Sequence, residues 1–314
     1  KGNQRQSLKR AVQWIKKESK PDLINLTNLL IAGFVPSIKR ELNLPVIVTL
    51  QGDDLFLDEL TESHRDLVIS ELRRLASHID GFITFSQFYA KKMAALLEVP
   101  KEKFHLVNLG GETDEFSDLI RDPVKDPTIG YFGRLAPEKG FHNIVDAFIE
   151  IHQEYNLSNV RLCAGGWLSP ADQNFFDQQI DKLKSANLIN FFDHIGSPDL
   201  EKKKDFLRKI EVFSLPTTHE EPKGLSVLEA QACGIPVVQP EHGIFPEMLA
   251  KTEGGILYDP TNSKSLAKEI VRLLKDKDYA NQLGEMGRKN TFELFSAKKM
   301  AEETLQVYLQ FTGS

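Results

Sequence analysis

The sequence predicts an α/β fold, two domains of parallel strands joined by crossover helices. Two patterns carry that expectation. Short apolar runs rich in Val, Ile and Phe alternate with longer stretches of helical period. One polar, proline-bearing stretch, Arg121-Asp-Pro-Val-Lys-Asp-Pro127, interrupts the alternation. A chain of 314 residues, 41% hydrophobic and 27% charged, is long enough for two modest domains.

Taken in order, strands are expected at Asp22–Leu26, Pro45–Leu50, Gly81–Phe85 and Phe104–Asn108, with helices between them. The prolines of the interrupting stretch restrict the residues before them and block regular structure, so the domain boundary is placed there. Residues 1–122 form the first domain, 123–298 the second, and 299–314 a closing helix. The second series of strands is expected at Thr128–Phe132, Val160–Ala164, Leu188–Phe192, Val212–Leu215 and Pro236–Gln239. The first domain opens on a helix and offers four strands, where a doubly wound domain usually has five or six. It is therefore expected to be incomplete; the alternative is a small domain whose missing edge is covered by other surfaces.

Composition excludes more than it identifies. A net charge of −6 gives no bulk attraction to nucleic acid or anionic lipid, and no nucleic-acid partner is expected. Cys163 and Cys233 are far apart and lack neighbouring His or Cys at metal-ligand spacing, so neither a disulfide framework nor a structural zinc site is suggested and a reducing, cytoplasmic setting fits; no cofactor is expected. No apolar run approaches the roughly 20 residues of a spanning helix, and the opening residues lack the apolar core expected of a secretion signal. Leu8, Ala11, Val12 and Ile15 share a helical face among Lys1, Arg5, Lys9, Arg10, Lys16, Lys17 and Lys20. Packing on a sheet is favoured over peripheral membrane contact for that stripe. Glu201-Lys-Lys-Lys204 reads as a solvated helical face, and His219 as an incidental loop histidine.

Two segments carry chemistry. In Gly130-Tyr-Phe-Gly-Arg-Leu-Ala-Pro-Glu-Lys-Gly140 a strand passes through a loop into a helix expected from Phe141 to Tyr155. Gly133 lets backbone approach a ligand, and Arg134 and Lys139 place two cations where a diphosphate would be held. The same residues also suit an ordinary turn into a helix. In Glu220-Glu-Pro-Lys-Gly-Leu-Ser-Val-Leu-Glu-Ala-Gln-Ala-Cys-Gly-Ile-Pro-Val-Val238 a helix begins near Gly224 and Leu225, aiming backbone N–H groups at a phosphate. Glu221 would lie beside a sugar, with Lys223 close by, and Glu229 would accept from ribose hydroxyls. Otherwise Glu221 shields the helix N-terminus and Glu229 is a solvent-facing acid on a helix whose Leu225, Leu228 and Ala232 face the core.

Together, Gly-Arg-Leu-x-Pro-Glu-Lys-Gly and the pair Glu221 and Glu229 resemble the signature of the retaining GT-B glycosyltransferases of family four, the glycosyl transferases of group 1. Leu162-Cys-Ala-Gly-Gly166, Asp193-His-Ile-Gly196, Gly243-Ile-Phe-Pro-Glu247, Gly255-Ile-Leu-Tyr-Asp-Pro260 and the closing stretch Phe295 to Tyr308 follow in the family's order. The resemblance implies two Rossmann-like domains facing a cleft, the first one partial, and a last helix that crosses back to the first domain. It also implies a retaining, metal-independent hexosyl transfer from a nucleotide diphosphate sugar to a hydroxyl of a glycan, lipid or small molecule. Arg134 and Lys139 would bind the diphosphate, Glu221 the sugar, Glu229 the ribose, and Gly133, Gly165, Lys223, Gly224 and Leu225 would complete the donor site. Catalysis would rest on Arg134, Lys139 and Glu221, with Glu221 positioning the sugar. On the acceptor side, the places where the family typically carries His hold Asn25, Thr27 and Gln51, and Asp53 and Ser86 are further candidates. A catalytically idle nucleotide-sugar-binding or scaffold protein of the same fold is the alternative.

Overall fold

The computed structural model describes residues 5–57, 60–121 and 126–313. They divide into two compact units, residues 1–108 with 300–314, and residues 109–299. The boundary expected at 122/123 and Lys1 of the opening stretch lie outside the described residues.

The first unit holds four parallel strands in chain order: β1 (Ile24–Leu26), β2 (Val46–Thr49), β3 (Gly81–Thr84) and β4 (Phe104–Leu106). Its helices are α1 (Arg5–Trp14), α2 (Val35–Leu42), α3 (Glu62–Ala76) and α4 (Gln87–Leu97). Alternation along β2 sorts the core, because successive side chains of a strand point to opposite faces. Val46 and Val48 join one buried cluster with Leu72, Leu75 and Phe82. Ile47 joins the other with Ile83, Val107 and Val307, which the C-terminal helix brings to that face. Val12 of α1 is fully buried in the first cluster, whereas Lys9, Arg10, Lys16, Lys17 and Lys20 are exposed. A buried polar knot ties the loop after β2: Asp53 accepts from the N–H groups of Leu29 (2.6 Å) and Gln51 (2.9 Å). Beside it, Asp54 takes the Tyr89 hydroxyl at 2.6 Å and the Lys92 ammonium at 2.8 Å.

The second unit is a six-stranded parallel sheet of β5 (Thr128–Phe132), β6 (Arg161–Gly165), β7 (Phe192–His194), β8 (Val212–Phe213), β9 (Val237–Pro240) and β10 (Gly255–Tyr258). The helices are α5 (Phe141–Glu154), α6 (Gln173–Ser185), α7 (Leu200–Arg208), α8 (Leu225–Ala232), α9 (Phe245–Thr252), α10 (Ser265–Lys275), α11 (Lys277–Leu294) and α12 (Ala297–Thr312). From Met300 onward α12 belongs to the first unit. Strand order is β7-β6-β5-β8-β9-β10, so the chain winds outward from β5, returns to lay β8 beside it, and winds out the other way. In such sheets ligands bind at the carboxyl ends of the strands, where the direction reverses. Here that point lies between β5 and β8.

Two expectations are corrected. The run Leu188–Phe192 is not a strand: Asn187 ends α6 in the left-handed region at φ 60°, and Ile189–Phe191 form a 3₁₀ turn, so β7 begins only at Phe192. A further strand, β10, runs parallel to β9 along Gly255–Tyr258, a segment read from the sequence only as a motif.

Candidate active site

The loops after β5 and β8 pack against each other. Gly140 sits at φ 72°, and a Cβ there would lie 1.7 Å from the Pro216 carbonyl oxygen, so only glycine permits this approach. Asn143 donates to the same carbonyl at 3.0 Å. The 3₁₀ turn Pro137–Lys139 thereby presents Lys139 to the loop leading into α8.

Glu221 is the centre of that meeting. Its side chain is only 6% exposed, and Oε2 lies 2.6 Å from the Lys139 ammonium. Oε1 accepts from the N–H groups of Lys223 (3.3 Å) and Gly224 (3.4 Å), just ahead of α8. His219 places Nε2 3.4 Å from Oε2 while Nδ1 meets the Glu138 carbonyl at 2.7 Å. With Nδ1 donating to that carbonyl, Nε2 carries a proton toward Glu221 only in the doubly protonated ring. Burial works to raise the Glu221 pKa, but His219 and then Lys139 outweigh it and hold the carboxyl at about 2. Glu221 is thus an anion at every physiological pH. His219 is no incidental histidine but one of its partners. The sequence hid this because the link to Glu138 joins positions far apart in the chain.

Gly224 at φ 71° starts α8 without a side-chain cap, and the first residues of the helix, Leu225 and Ser226, line the same space. Leu225 is 40% exposed there, against the alternative in which it faces the core, while Leu228 and Ala232 are buried. The helix follows β8, so its first residue stands toward the carboxyl edge of the sheet.

One turn further, Glu229 meets Lys203 of α7, with Nζ 2.5 Å from Oε2 and 4.5 Å from the centroid of the Phe132 ring. The Lys203 side chain is only 16% exposed. This corrects the reading of 201–204 as a solvated face. Lys203 lies three residues before the buried Phe206, so it shares the packed side of α7 and carries its stem along the core. Lys204 is turned toward Glu201 and Glu115, and Lys202 alone of the three lysines is largely exposed. Lys203 was missed because a run of three lysines looks the same whichever face it occupies.

A cavity of about 320 Å³ gathers these groups. Gly133, Lys139, Glu221, Lys223, Gly224, Leu225 and Glu229 line it together with Phe132, Lys203, Leu215 and Ser226. Two expected donor residues stand outside the lining. Arg134, half exposed, is paired with Glu138. Gly165 supports the floor by accepting the Gly133 N–H at 3.0 Å. In the first unit the four acceptor-side candidates are engaged locally. Asn25 donates to Tyr308 (2.7 Å) and Thr49 (3.1 Å), and Gln51 to the Thr27 carbonyl (3.2 Å). Asp53 belongs to the buried knot, and buried Ser86 caps α4 through Tyr89 N. Among the described residues no cluster of His, Cys, Asp or Glu is arranged to hold a metal, and no helix is long and apolar enough to cross a membrane. Burial pushes the thiols of Cys163 and Cys233 up to about 12, so both behave as small apolar side chains.

The model of the family described as glycosyl transferases group 1 matches residues 112–290, more than half of the chain. The chain belongs to this family. It is 30% identical over 188 residues to alpha-maltose-1-phosphate synthase of Mycolicibacterium smegmatis, covering 58% of this chain and 47% of that one. It is 28% identical over 211 residues to the capsular polysaccharide biosynthesis glycosyltransferase CapM of Staphylococcus aureus, covering 67% and 52%. In these matches the chain spans about half the length of each relative. Sucrose-phosphate synthase of Thermosynechococcus elongatus superposes with a TM-score of 0.80 at 22% identity, over 99% of this chain and 80% of that one. HepE of Anabaena, in complex with UDP, gives 0.82 at 17%, over 98% and 82%. These likenesses show the GT-B fold.

Proposed function

We propose that the protein moves a sugar from a nucleotide diphosphate sugar to a hydroxyl acceptor, with retention at the anomeric carbon and without a metal ion. The observation that carries this reading is the cavity at the reversal of strand order, which brings Lys139, Glu221, the start of α8 and Glu229 into one space. Related folds have been solved with such ligands: HepE with UDP, with UDP and glucose, and with UDP-glucose, and starch synthase IV of Arabidopsis thaliana with ADP and acarbose.

In this reading the donor diphosphate lies at the N-terminus of α8, where backbone N–H groups and the helix dipole favour an anion. Lys139 supplies the fixed cation, and Arg134 swings from Glu138 to join it. Negative charge grows on the diphosphate as the glycosidic bond breaks, and donors already in place stabilise it without rearrangement. Glu221, ionised throughout the neutral range, orients sugar hydroxyls and is unsuited to act as a proton donor. The leaving diphosphate then takes the acceptor proton on the face the acceptor approaches, which preserves configuration. Asn25 and Gln51 are the acceptor-side residues of this proposal.

Titration of UDP, GDP and ADP against the protein, with sugar transfer followed in parallel, tests it. One nucleotide is expected to bind, and Arg134→Ala to weaken it about tenfold or more, the loss of a charge-assisted hydrogen bond. Binding without transfer would point to a catalytically idle protein; no binding of any nucleotide would overturn the donor site.

A further inference from the structure

Resting on that donor-site reading, we propose that Lys203 is a positioning residue for the nucleoside end of the donor: seated between Glu229 and the ring of Phe132, it holds Glu229 as an oriented carboxylate that accepts from the ribose hydroxyls.

The placement of Lys203 requires a reason. A buried ammonium is costly unless it is paired, and its stem needs apolar contact. α7 supplies the contact, Glu229 the counter-charge at 2.5 Å, and the face of Phe132 a second favourable field at 4.5 Å. The three groups come from three elements, α7, α8 and β5, and meet only at this end of the cavity.

The consequence falls on Glu229. A neutral carboxyl carries a proton on one oxygen and cannot accept from two neighbouring hydroxyls as a carboxylate does. Burial drives Glu229 toward that neutral form and raises its pKa, Lys203 opposes the shift, and Glu112, before the turn Thr113–Phe116, adds to it. The other groups around it do not replace Lys203. Cys233, one turn along α8, is a neutral thiol, and Lys139 is engaged by Glu221 across the cavity, with Lys223 beside them. Lys203 meets Glu229 through Oε2.

The test uses whichever of UDP, GDP or ADP binds the wild-type protein, together with its 2′,3′-dideoxy counterpart, followed from neutral pH downward, because a carboxyl whose pKa is raised protonates earlier as pH falls. Wild type is expected to prefer the ribonucleotide. Lys203→Met should weaken the ribonucleotide roughly tenfold, the loss expected when a charged hydrogen bond to a ligand fails, and leave the dideoxynucleotide nearly unchanged. The deficit should deepen as pH falls, because without Lys203 Glu229 protonates at higher pH. Lys203→Arg should restore most of the preference. In a Glu229→Gln background, where nothing at this position titrates, Lys203→Met should add no further pH dependence; this arm also covers a Lys203→Met protein that folds poorly. The proposal is overturned if Lys203→Met weakens both nucleotides equally, if it changes neither, or if its pH dependence survives in Glu229→Gln. Failure of every nucleotide to bind wild type would instead remove the donor-site reading beneath it.

Discussion

At the scale of single residues, two largely enclosed ion pairs of the second unit face one cavity, Lys139 with Glu221 and Lys203 with Glu229. The two carboxylates are shifted in opposite directions. Glu221 has His219 and Lys139 beside it and falls to about 2, whereas Glu229 has Lys203 and is raised by burial. A testable sign follows for Glu221. Its folded pKa lies below its ordinary 4.5, so it contributes stability that is complete above that value and is lost as pH falls toward about 2. Glu221→Gln removes the contribution and leaves Lys139 without its counter-charge. In urea denaturation at neutral pH the variant should be less stable than wild type by about 3 kcal/mol. The gap should narrow through the acid range and close near pH 2, where the wild-type carboxyl is itself protonated; a gap independent of pH would contradict the pairing. The sequence revealed the carboxylates and Lys139 through their spacing. It could not reveal Lys203 or His219, whose partners are fixed only when α7 and the loop after β8 are placed in three dimensions.

Elements follow the same division between local and distant information. β5 and α5 were legible because an apolar run, a turn and a helical period follow one another within a single stretch of chain. The strand expected at Leu188–Phe192 was displaced because an apolar run does not show whether it pairs in a sheet or closes the end of a helix, as Leu188 does with its N–H on the Leu183 carbonyl. β10 escaped for the opposite reason, since four residues between two helices give too short a pattern to separate strand from loop. The loop after β5 is where an element depends on one residue. Any side chain at Gly140 must displace the Pro216 carbonyl or abandon φ 72°, and either movement carries Lys139 away from Glu221. Gly140→Ala is therefore expected to cost about 1–3 kcal/mol of stability and to weaken nucleotide binding. Thermal unfolding and the nucleotide titration, made on the same protein, check both effects. Unchanged affinity would separate the loop conformation from the site.

For the whole molecule, the fold class was readable because parallel sheets buried on both faces leave near-continuous apolar runs, whatever the chain does between them. Much less of the first unit's site was legible. Asp53 and Ser86 look like exposed polar residues after strands, yet both are buried and committed to holding backbone. The return of residues 300–314 to the unit begun by residues 1–108 is implied by the family resemblance and by no local pattern of the sequence. Val307 fills the face of that sheet otherwise formed by Ile47, Ile83 and Val107, while Tyr308 takes the Asn25 amide at 2.7 Å. If each unit is stabilised by its own core, damage at Val307 should be felt where its contacts are. Val307→Ala should remove about 1–3 kcal/mol, the range for deleting buried methyl groups. Hydrogen exchange resolved by peptide can locate the loss: amides of β2 and β3 should exchange faster, and those of β5 and β8 should keep their wild-type protection. Equal acceleration in all four strands would mean that the two units unfold as one cooperative body. Protection unchanged in β2 and β3 would mean that the closing helix contributes little to the sheet it covers.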